Sequence, residues 1–264
     1  MDKAFSMERI AIVMGYHNRK FQILQTLATI ESQNIPCDVI IVDDNSKEPL
    51  ELPTYSNINV HLISITDKNW INPVIAFNRG FHYAMESTIC ETILIQGSEC
   101  FHVGNILEYV GKNSNTNNYI TFGCYSIDKE VTHNLLNLQS TIQSHQHPML
   151  CDRGIGWYNH SIHRPCALEW CAAIHRSNMI TLNGYDERFA HGYACGDVNF
   201  LHRIKKLGLE IQIIDDPFVV HQWHDTLCDI DSNSIDLHAK NLNIYNEITD
   251  ESISAKHLYT PDFK

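Results

Sequence analysis

Short apolar runs alternate with segments of helical periodicity along the first half of the chain. The apolar runs predict strands at residues 9–14, 37–42, 59–64, 92–96 and 119–125. Between them, one-sided apolar spacing predicts helices over residues 21–33, 73–86 (interrupted or strained at Gly80) and 103–110. Because strands and helices alternate, crossover connections and a mostly parallel sheet are expected.

The pattern is weaker after residue 125. A helix is predicted for residues 129–143, and residues 145–165, rich in His, Gly, Trp and Pro, indicate a long functional loop. An amphipathic helix then opens on Gly196-Asp197 and ends at Gly208. Strand-like runs follow at 210–214 and 218–221, and then a helix near 234–248 with a loose tail. The simplest division is one α/β domain over residues 1–224 and a C-terminal extension over 225–264.

Composition excludes some classes of binding partner and indicates the cellular compartment. The 264 residues carry a formal charge of −12, which argues against a nucleic-acid binder and against docking on anionic membranes. No apolar run is long enough to span a membrane and no signal-peptide core is present, so we expect a cytoplasmic protein. The nine cysteines are scattered without a Cys-x-x-Cys motif, and most are expected to be buried thiols.

Polar clusters follow three of the predicted parallel strands. They are residues 16–18 (Tyr-His-Asn), 43–46 (Asp-Asp-Asn-Ser) and 97–99 (Gly-Ser-Glu). Ligands bind outside the carboxyl ends of such strands; the alternative is that residues 43–46 merely cap the next turn. The chain has neither a dinucleotide-binding glycine motif nor a phosphate-binding P-loop. Phosphates would therefore need a metal ion, and Mg²⁺ or Mn²⁺ is expected.

Five segments in sequence order resemble motifs of family 2 glycosyltransferases of the GT-A fold, with some features of polypeptide GalNAc-transferases. The matching segments are residues 10–19 (opening strand and turn), 39–46 (uridine-binding Val-Asp-Asp), 72–80 (a helix like Ala-Arg-Asn-x-Gly), 183–189 with 196–197 (Gly-Phe-Asp-Glu and Glu-Asp) and 218–221 (a late histidine). The resemblance spans about residues 8–224 and implies a GT-A, Rossmann-like α/β domain.

The resemblance also implies roles for individual residues. The uracil and ribose of a UDP-sugar would contact Tyr16, Asn18, Asp43 and Asp44, and the matching helix adds Asn78 and Arg79 as donor contacts. Arg79 stands two residues after the position of the expected arginine, which is Phe77 here, so a surface salt bridge is an equal alternative for it. A divalent ion on the diphosphate would be bound by Glu99 and His221, and Asp197 would be the general base.

Two motifs depart from the family pattern. The metal motif Asp-x-Asp or Asp-x-His is reduced to Gly97-Ser98-Glu99, and the paired acids are reduced to Gly196-Asp197. Asp197 is then either the base or only a helix cap. His224 is a further candidate metal ligand. Histidines three apart on a strand point to opposite faces, so only one should reach a shared ion unless the chain turns.

Aromatic and acidic residues suggest where an acceptor binds. Trp157 and Trp170 either stack on a sugar ring or cover the core, and Asp186 and Glu187 either contact the acceptor or fix a turn. The expected activity is hexosyl or N-acetylhexosaminyl transfer from a UDP-sugar to a glycan, protein or small-molecule hydroxyl, with inversion if Asp197 lies in line and retention left open. The alternative is a degenerate GT-A protein that binds nucleotide sugars or partners. A nucleotidyltransferase is disfavoured because residues 15–20 contain too few glycines.

Overall fold

A computed structural model describes residues 9–134, 155–225, 233–248 and 252–263. The rest of the helix predicted for 129–143, residues 145–154 of the predicted loop, and Cys151 and Cys228 lie outside these residues. The described strands are β1 (Ile10–Tyr16), β2 (Cys37–Asp44), β3 (Ile58–Ile65), β4 (Thr92–Gly97), β5 (Cys100–Val103), β6 (Asn118–Ser126), β7 (Gly156–Asn159), β8 (Cys171–His175) and β9 (Glu210–His221). The described helices are α1 (Lys20–Glu31), α2 (Val74–Ser87), α3 (Ile106–Asn113), α4 (Lys129–His133), α5 (Arg176–Leu182), α6 (Gly196–Leu207) and α7 (Ser234–Glu247).

The described strands form one mixed sheet in the order β3-β2-β1-β4-β8-β6-β9-β5, and β7 pairs with β6. Strands β1 to β4 are parallel, β8 runs antiparallel between β4 and β6, and β9 is parallel to β6. The mostly parallel sheet predicted from the alternating elements is therefore present. Its carboxyl edge collects the ends of β1, β2 and β4, together with the residues that lead into β8.

Apolar side chains of β1 alternate between two cores, as the two-residue period of a strand requires. Ala11 and Val13 face one core, whereas Ile10, Ile12 and Met14 face the other. The first core is covered mainly by α2 and α6, and the second by α1 and α3. Within the described residues, no helix is long and apolar enough to cross a bilayer.

Helix α2 continues through Gly80, where the sequence suggested a strained point. A Cβ at Gly80 would lie 2.5 Å from Val13 Cγ1 and 3.1 Å from Val42 Cγ2. The glycine therefore allows the helix to pack directly on β1 and β2. The helix predicted for 103–110 instead spans Ile106–Asn113, because residues 100–103 form β5.

The two strand-like runs at 210–214 and 218–221 are one strand, β9. Its pairing with β6 shifts between Phe122 and Gly123, so residues 215–217, which include Pro217, bulge out of register. No strand was predicted at β5, β7 or β8. These strands are only four or five residues long, which makes their pattern weak.

The C-terminal extension has the predicted helix, which spans Ser234–Glu247, but the described tail is not loose. Residues 252–263 pack on the main domain, where Glu187 accepts hydrogen bonds from three consecutive backbone amides of the tail, those of residues 258–260. Among the described cysteines, six are buried and Cys166 is partly exposed, in agreement with the expected thiols.

Candidate active site

The turns that follow β1 and β2 are bound to each other and form one polar corner. Asn18 donates its amide to Ser46 Oγ at 2.9 Å, and its side-chain oxygen accepts the Lys47 amide at 2.8 Å. Asp43 accepts the Ser46 amide at 2.9 Å, which fixes the second turn. Tyr16 is buried beside it, and burial followed by the charge of Asp43 raises the pKa of its hydroxyl. The structure thus brings Tyr16, Asn18 and Asp43 together.

Asp44 completes the corner through two partners that the sequence analysis did not identify. Its carboxylate accepts from Lys68 Nζ at 2.6 Å and from Trp70 Nε1 at 3.0 Å. The Arg79 guanidinium lies 5.4 Å from the centre of the Trp70 ring. Arg79 therefore adjoins the Asp44 corner through a cation–π contact.

Glu99, His221 and His224 form a compact set of potential metal ligands. Glu99 Oε1 lies 3.5 Å from His221 Nε2 and 3.8 Å from His224 Nε2. Within the described residues, these three are the group whose ligand atoms all lie within 4.8 Å of one another. Antiparallel pairing of β5 with β9 places Cys100, the neighbour of Glu99, opposite His221.

Both histidines reach this set, which is the outcome that the sequence left open if the chain turns after the strand. Strand β9 ends at His221, and the chain then turns away. Gln222 fixes this turn because its backbone amide and side-chain amide both donate to the Glu99 carbonyl, at 3.1 and 3.0 Å. Once the strand has ended, the alternation of side chains no longer holds, and His224 turns back toward Glu99.

The protonation states suit metal binding. Burial alone would raise the pKa of Glu99, but the charge of Arg19, a hydrogen bond from His221 and the charge of His224 together lower it well below its usual value. Burial, followed by the charge of Arg19, lowers the pKa of His224 to about 4. His224 Nδ1 lies 2.8 Å from the Asp225 carbonyl, which can only accept, so Nε2 keeps its lone pair.

Arg19 is a cation within this site that the sequence analysis passed over. Its Nη1 lies 2.7 Å from Glu99 Oε2, which Ser98 Oγ also contacts at 3.1 Å. Oε2 is therefore bound to the chain itself, whereas Oε1 faces the two histidines. Arg19 directly follows Asn18, so this ion pair connects the ligand set to the polar corner.

Asp197 lies in the first turn of α6, as predicted. Its Oδ1 accepts the Val198 amide at 2.8 Å, and burial raises the pKa of the carboxyl group. A Cβ at the preceding Gly196 would lie 2.9 Å from Val74 Cγ1, so the close approach of α2 leaves no room there for a second acid. Asn72 donates to the Ala194 carbonyl just before this turn, at 3.0 Å. The segment from Trp70 to Asn72 thus joins the Asp44 corner to the turn that holds Asp197.

Residues 9–219 match the model of a protein family described as glycosyltransferase like family 2. The chain belongs to this family. No curated protein sequence matches it.

Solved structures of S. aureus TarS are similar to the chain. The structure of TarS residues 1–349 has a TM-score of 0.53 and 11% identity, over 81% of this chain and 60% of that one. The same fragment in complex with UDP-GlcNAc has a TM-score of 0.53 and 11% identity, over 83% and 59% of the two chains. The chain thus spans about 60% of these TarS structures. At this identity the likeness concerns the fold alone, and it confirms the α/β fold of GT-A type.

Three of the predicted site residues have other partners in this chain. Asn78 is fully buried and binds the backbone of Tyr185 in both directions, at 2.8 Å each. Asp186 is held by Arg188 at 2.7 Å, and Glu187 is fully buried against the tail. Of the two alternatives for Asp186 and Glu187, the geometry favours fixing the turn. We place Asn78 in the same role because its amide does not face the donor corner.

The two tryptophans differ in their surroundings. Trp157 is buried and packs edge-on against Tyr125 and Phe218, with ring centres 5.0 and 5.5 Å apart, so it covers the core. Trp170 stacks on Tyr158 at 5.5 Å, and the Tyr158 ring lies 5.0 Å from that of His221. The Trp170 carbonyl also accepts the Gly97 amide. Trp170 therefore borders the Glu99 site, and Trp157 does not.

Proposed function

We propose that this family 2-like glycosyltransferase moves a sugar from a UDP-sugar to a hydroxyl acceptor. One observation carries the proposal. The ligand set of Glu99, His221 and His224 is joined through Arg19 to the corner of Asn18 and Asp43, so nucleotide and diphosphate sites adjoin. The TarS complex makes UDP-GlcNAc the first donor to test.

The three ligands fit a divalent transition-metal ion. One ionised carboxylate and two imidazoles suit Mn²⁺ better than Mg²⁺, which prefers oxygen ligands and octahedral geometry. When bound, such an ion would neutralise charge on the departing nucleoside diphosphate. Glu99 Oε1 and the Nε2 atoms of both histidines would hold it. Arg19 remains on the other Glu99 oxygen and adds positive charge.

Asp197 would be the general base. The acceptor oxygen forms a bond to the anomeric carbon, the bond from that carbon to the diphosphate oxygen breaks, and the acceptor proton passes to the Asp197 carboxylate. Burial helps because a carboxylate with a raised pKa is a better proton acceptor. If Asp197 lies in line with the leaving group, the configuration is inverted.

The test is release of UDP from a panel of UDP-sugars, beginning with UDP-GlcNAc, in the presence of Mn²⁺. We expect Asp197→Asn to lower the rate by roughly 10²–10⁴-fold. The matched control is Asp236→Asn, the same change in the first turn of the α7 helix, and it should leave the rate unchanged. An Asp197→Asn variant with the wild-type rate would contradict the role of Asp197.

A second candidate is a protein that binds nucleotide sugars without turnover. The Arg19–Glu99 ion pair favours it, because Arg19 already neutralises Glu99 without a metal ion. This candidate predicts that UDP raises the melting temperature while no donor of the panel releases UDP. If UDP fails to raise the melting temperature, neither candidate holds.

A further inference from the structure

A second acid, partly buried, lies close enough to Asp197 for the charge of Asp197 to act on it, although the sequence has glycine where family members have one. Glu169 precedes β8 and accepts a hydrogen bond from the Tyr185 hydroxyl to its Oε1 at 2.6 Å. Tyr185 packs in turn on Phe200, one helical turn after Asp197, with ring centres 4.9 Å apart. Glu169 thus approaches the start of the α6 helix from another part of the chain.

The second oxygen of this acid is unused. Glu169 Oε2 is buried and has no hydrogen-bond partner among the described residues. The Tyr119 hydroxyl is also buried without a hydrogen-bond partner among the described residues. Burial raises its pKa, and the charges of Glu169 and Asp197 raise it further. Buried polar atoms without partners are rare in folded proteins, and they concentrate where a structure has a functional reason to keep them.

The electrostatics link the two acids. Burial, followed by the charge of Asp197, raises the pKa of Glu169 to about 8. Glu169 therefore carries a proton at neutral pH, and Asp197 is the acid that ionises first. The charge of Asp197 thus opposes ionisation of Glu169.

We propose that Glu169 is a positioning residue for Asp197 and supplies, from the segment before β8, the second acid for which Gly196 leaves no space. This inference rests on the proposed function, in which Asp197 is the base. The protonated Glu169 leaves the single negative charge of the pair on Asp197. Tyr185 holds Glu169 in place, so that Asp197 meets the acceptor hydroxyl as the ionised partner.

Other ionisable groups face the pair and must be considered in any pH experiment. They are Tyr119 from β6, Tyr185 just after the α5 helix, Arg203 from the α6 helix, Cys195 before that helix and Cys171 at the start of β8. Burial raises the pKa of the Tyr119, Tyr185 and Cys171 side chains well above their ordinary values. Burial lowers the pKa of Arg203 only to about 10. Burial also raises the pKa of Cys195. A change near pH 8 that is lost in Glu169→Gln is therefore assigned to Glu169.

The first test needs no substrate. Melting temperatures are measured for the wild type, Glu169→Gln, Asp197→Asn and the double variant at about pH 5 and about pH 9. A raised carboxyl pKa means that the folded state keeps a proton which the unfolded state has lost, so stability falls as pH rises from about 4.5 to 8. Glu169→Gln removes this loss and should be stabilised relative to wild type at the higher pH. The gain in melting temperature from Glu169→Gln should be smaller in the Asp197→Asn background, because the charge that helps to raise the Glu169 pKa is then absent.

Additive effects of the two substitutions at both pH values would overturn the pairing. A matched control is Glu86→Gln, a mostly exposed glutamate on α2, which should show no such coupling to Asp197→Asn. Because this cycle reports only stability, it judges the pairing even if no donor is turned over.

The second test uses the pH profile of UDP release from UDP-GlcNAc. The wild type should show an inflection near pH 8 that Glu169→Gln lacks, with kcat altered and KM for UDP-GlcNAc unchanged. Tyr185→Phe keeps the acid but removes a hydrogen bond that lowers its pKa, so the inflection should move upward. Identical profiles for wild type and Glu169→Gln would overturn the proposal. Absence of UDP release from every donor would contradict the proposed function, whereas additive stabilities contradict the pairing itself.

Discussion

Arg19 and a divalent ion would both interact electrostatically with the Glu99 carboxylate. Arg19 holds Oε2 at 2.7 Å, while Oε1 lies among the histidines. Removing one partner of a buried ion pair leaves an uncompensated charge, which is costly. In the protein without metal, Arg19 therefore stabilises Glu99. With metal bound, its positive charge weakens the attraction of the site for the ion.

We expect Arg19→Ala to bind Mn²⁺ more tightly than wild type in calorimetric titrations, and to melt at a lower temperature without metal. Glu99→Gln should bind Mn²⁺ roughly tenfold or more weakly, because it loses the charged ligand. The control is Lys20→Ala, which removes the adjacent cation that pairs with exposed Glu51. If Arg19→Ala and Lys20→Ala bind Mn²⁺ equally, Arg19 has no special effect on the site.

His224 should make the protein sensitive to mild acid. Its pKa of about 4 in the folded state lies below the 6.5 of an unfolded histidine, so the unfolded chain binds more protons between these values and stability falls as pH falls. From about pH 7 to pH 5 this amounts to about 2 kcal/mol, or roughly 4–8 °C in melting temperature. Between pH 7 and pH 5, His224→Gln should therefore lose less stability than wild type. The exposed control His238→Gln should lose as much as wild type. Equal slopes for His224→Gln and wild type would refute this.

At the scale of elements, the C-terminal tail acts as part of the main domain. Glu187 accepts the amides of Leu258 and Tyr259, each at 2.6 Å, and the Thr260 hydroxyl. Asn183 accepts the Phe263 amide at 2.8 Å. Residues 183–187 thus bind the C-terminal tail through hydrogen bonds.

Glu187→Gln should release this tail. Loss of a charged acceptor for several buried donors should cost roughly 2–3 kcal/mol, which is about 5–10 °C in melting temperature. Hydrogen exchange of residues 257–263 should rise in the variant and stay at the wild-type level in Glu51→Gln, a control in an exposed ion pair. Unchanged protection of the tail would show that Glu187 does not hold it.

Long periodic elements could be predicted from the sequence, whereas contacts between distant segments could not. The first four parallel strands and α6 follow from apolar runs and a capped amphipathic pattern. Strand β8 was missed because five apolar and small residues carry little periodicity. Without β8, nothing indicated that Glu169 approaches Asp197. Likewise, Arg19 stood inside a recognised turn, but its partner Glu99 is 80 residues away.

At the scale of the whole molecule, an acidic protein is proposed to bind an anionic donor. The formal charge of −12 repels a UDP-sugar at long range, so local positive charge must overcome it. Lys68 and Arg79 supply such charge at the nucleotide corner, and Arg19 supplies it beside Glu99. The divalent ion would add further positive charge at the diphosphate.

Pulsed electron paramagnetic resonance of Mn²⁺ with bound UDP tests directly whether these residues form one site. A single Mn²⁺ should show coupling both to histidine ¹⁴N and to the ³¹P nuclei of UDP. The ¹⁴N coupling should weaken in His221→Ala and in His224→Ala. Phosphorus coupling without any histidine nitrogen coupling would contradict a single shared site, because the nucleotide and its metal would then bind away from Glu99 and the two histidines.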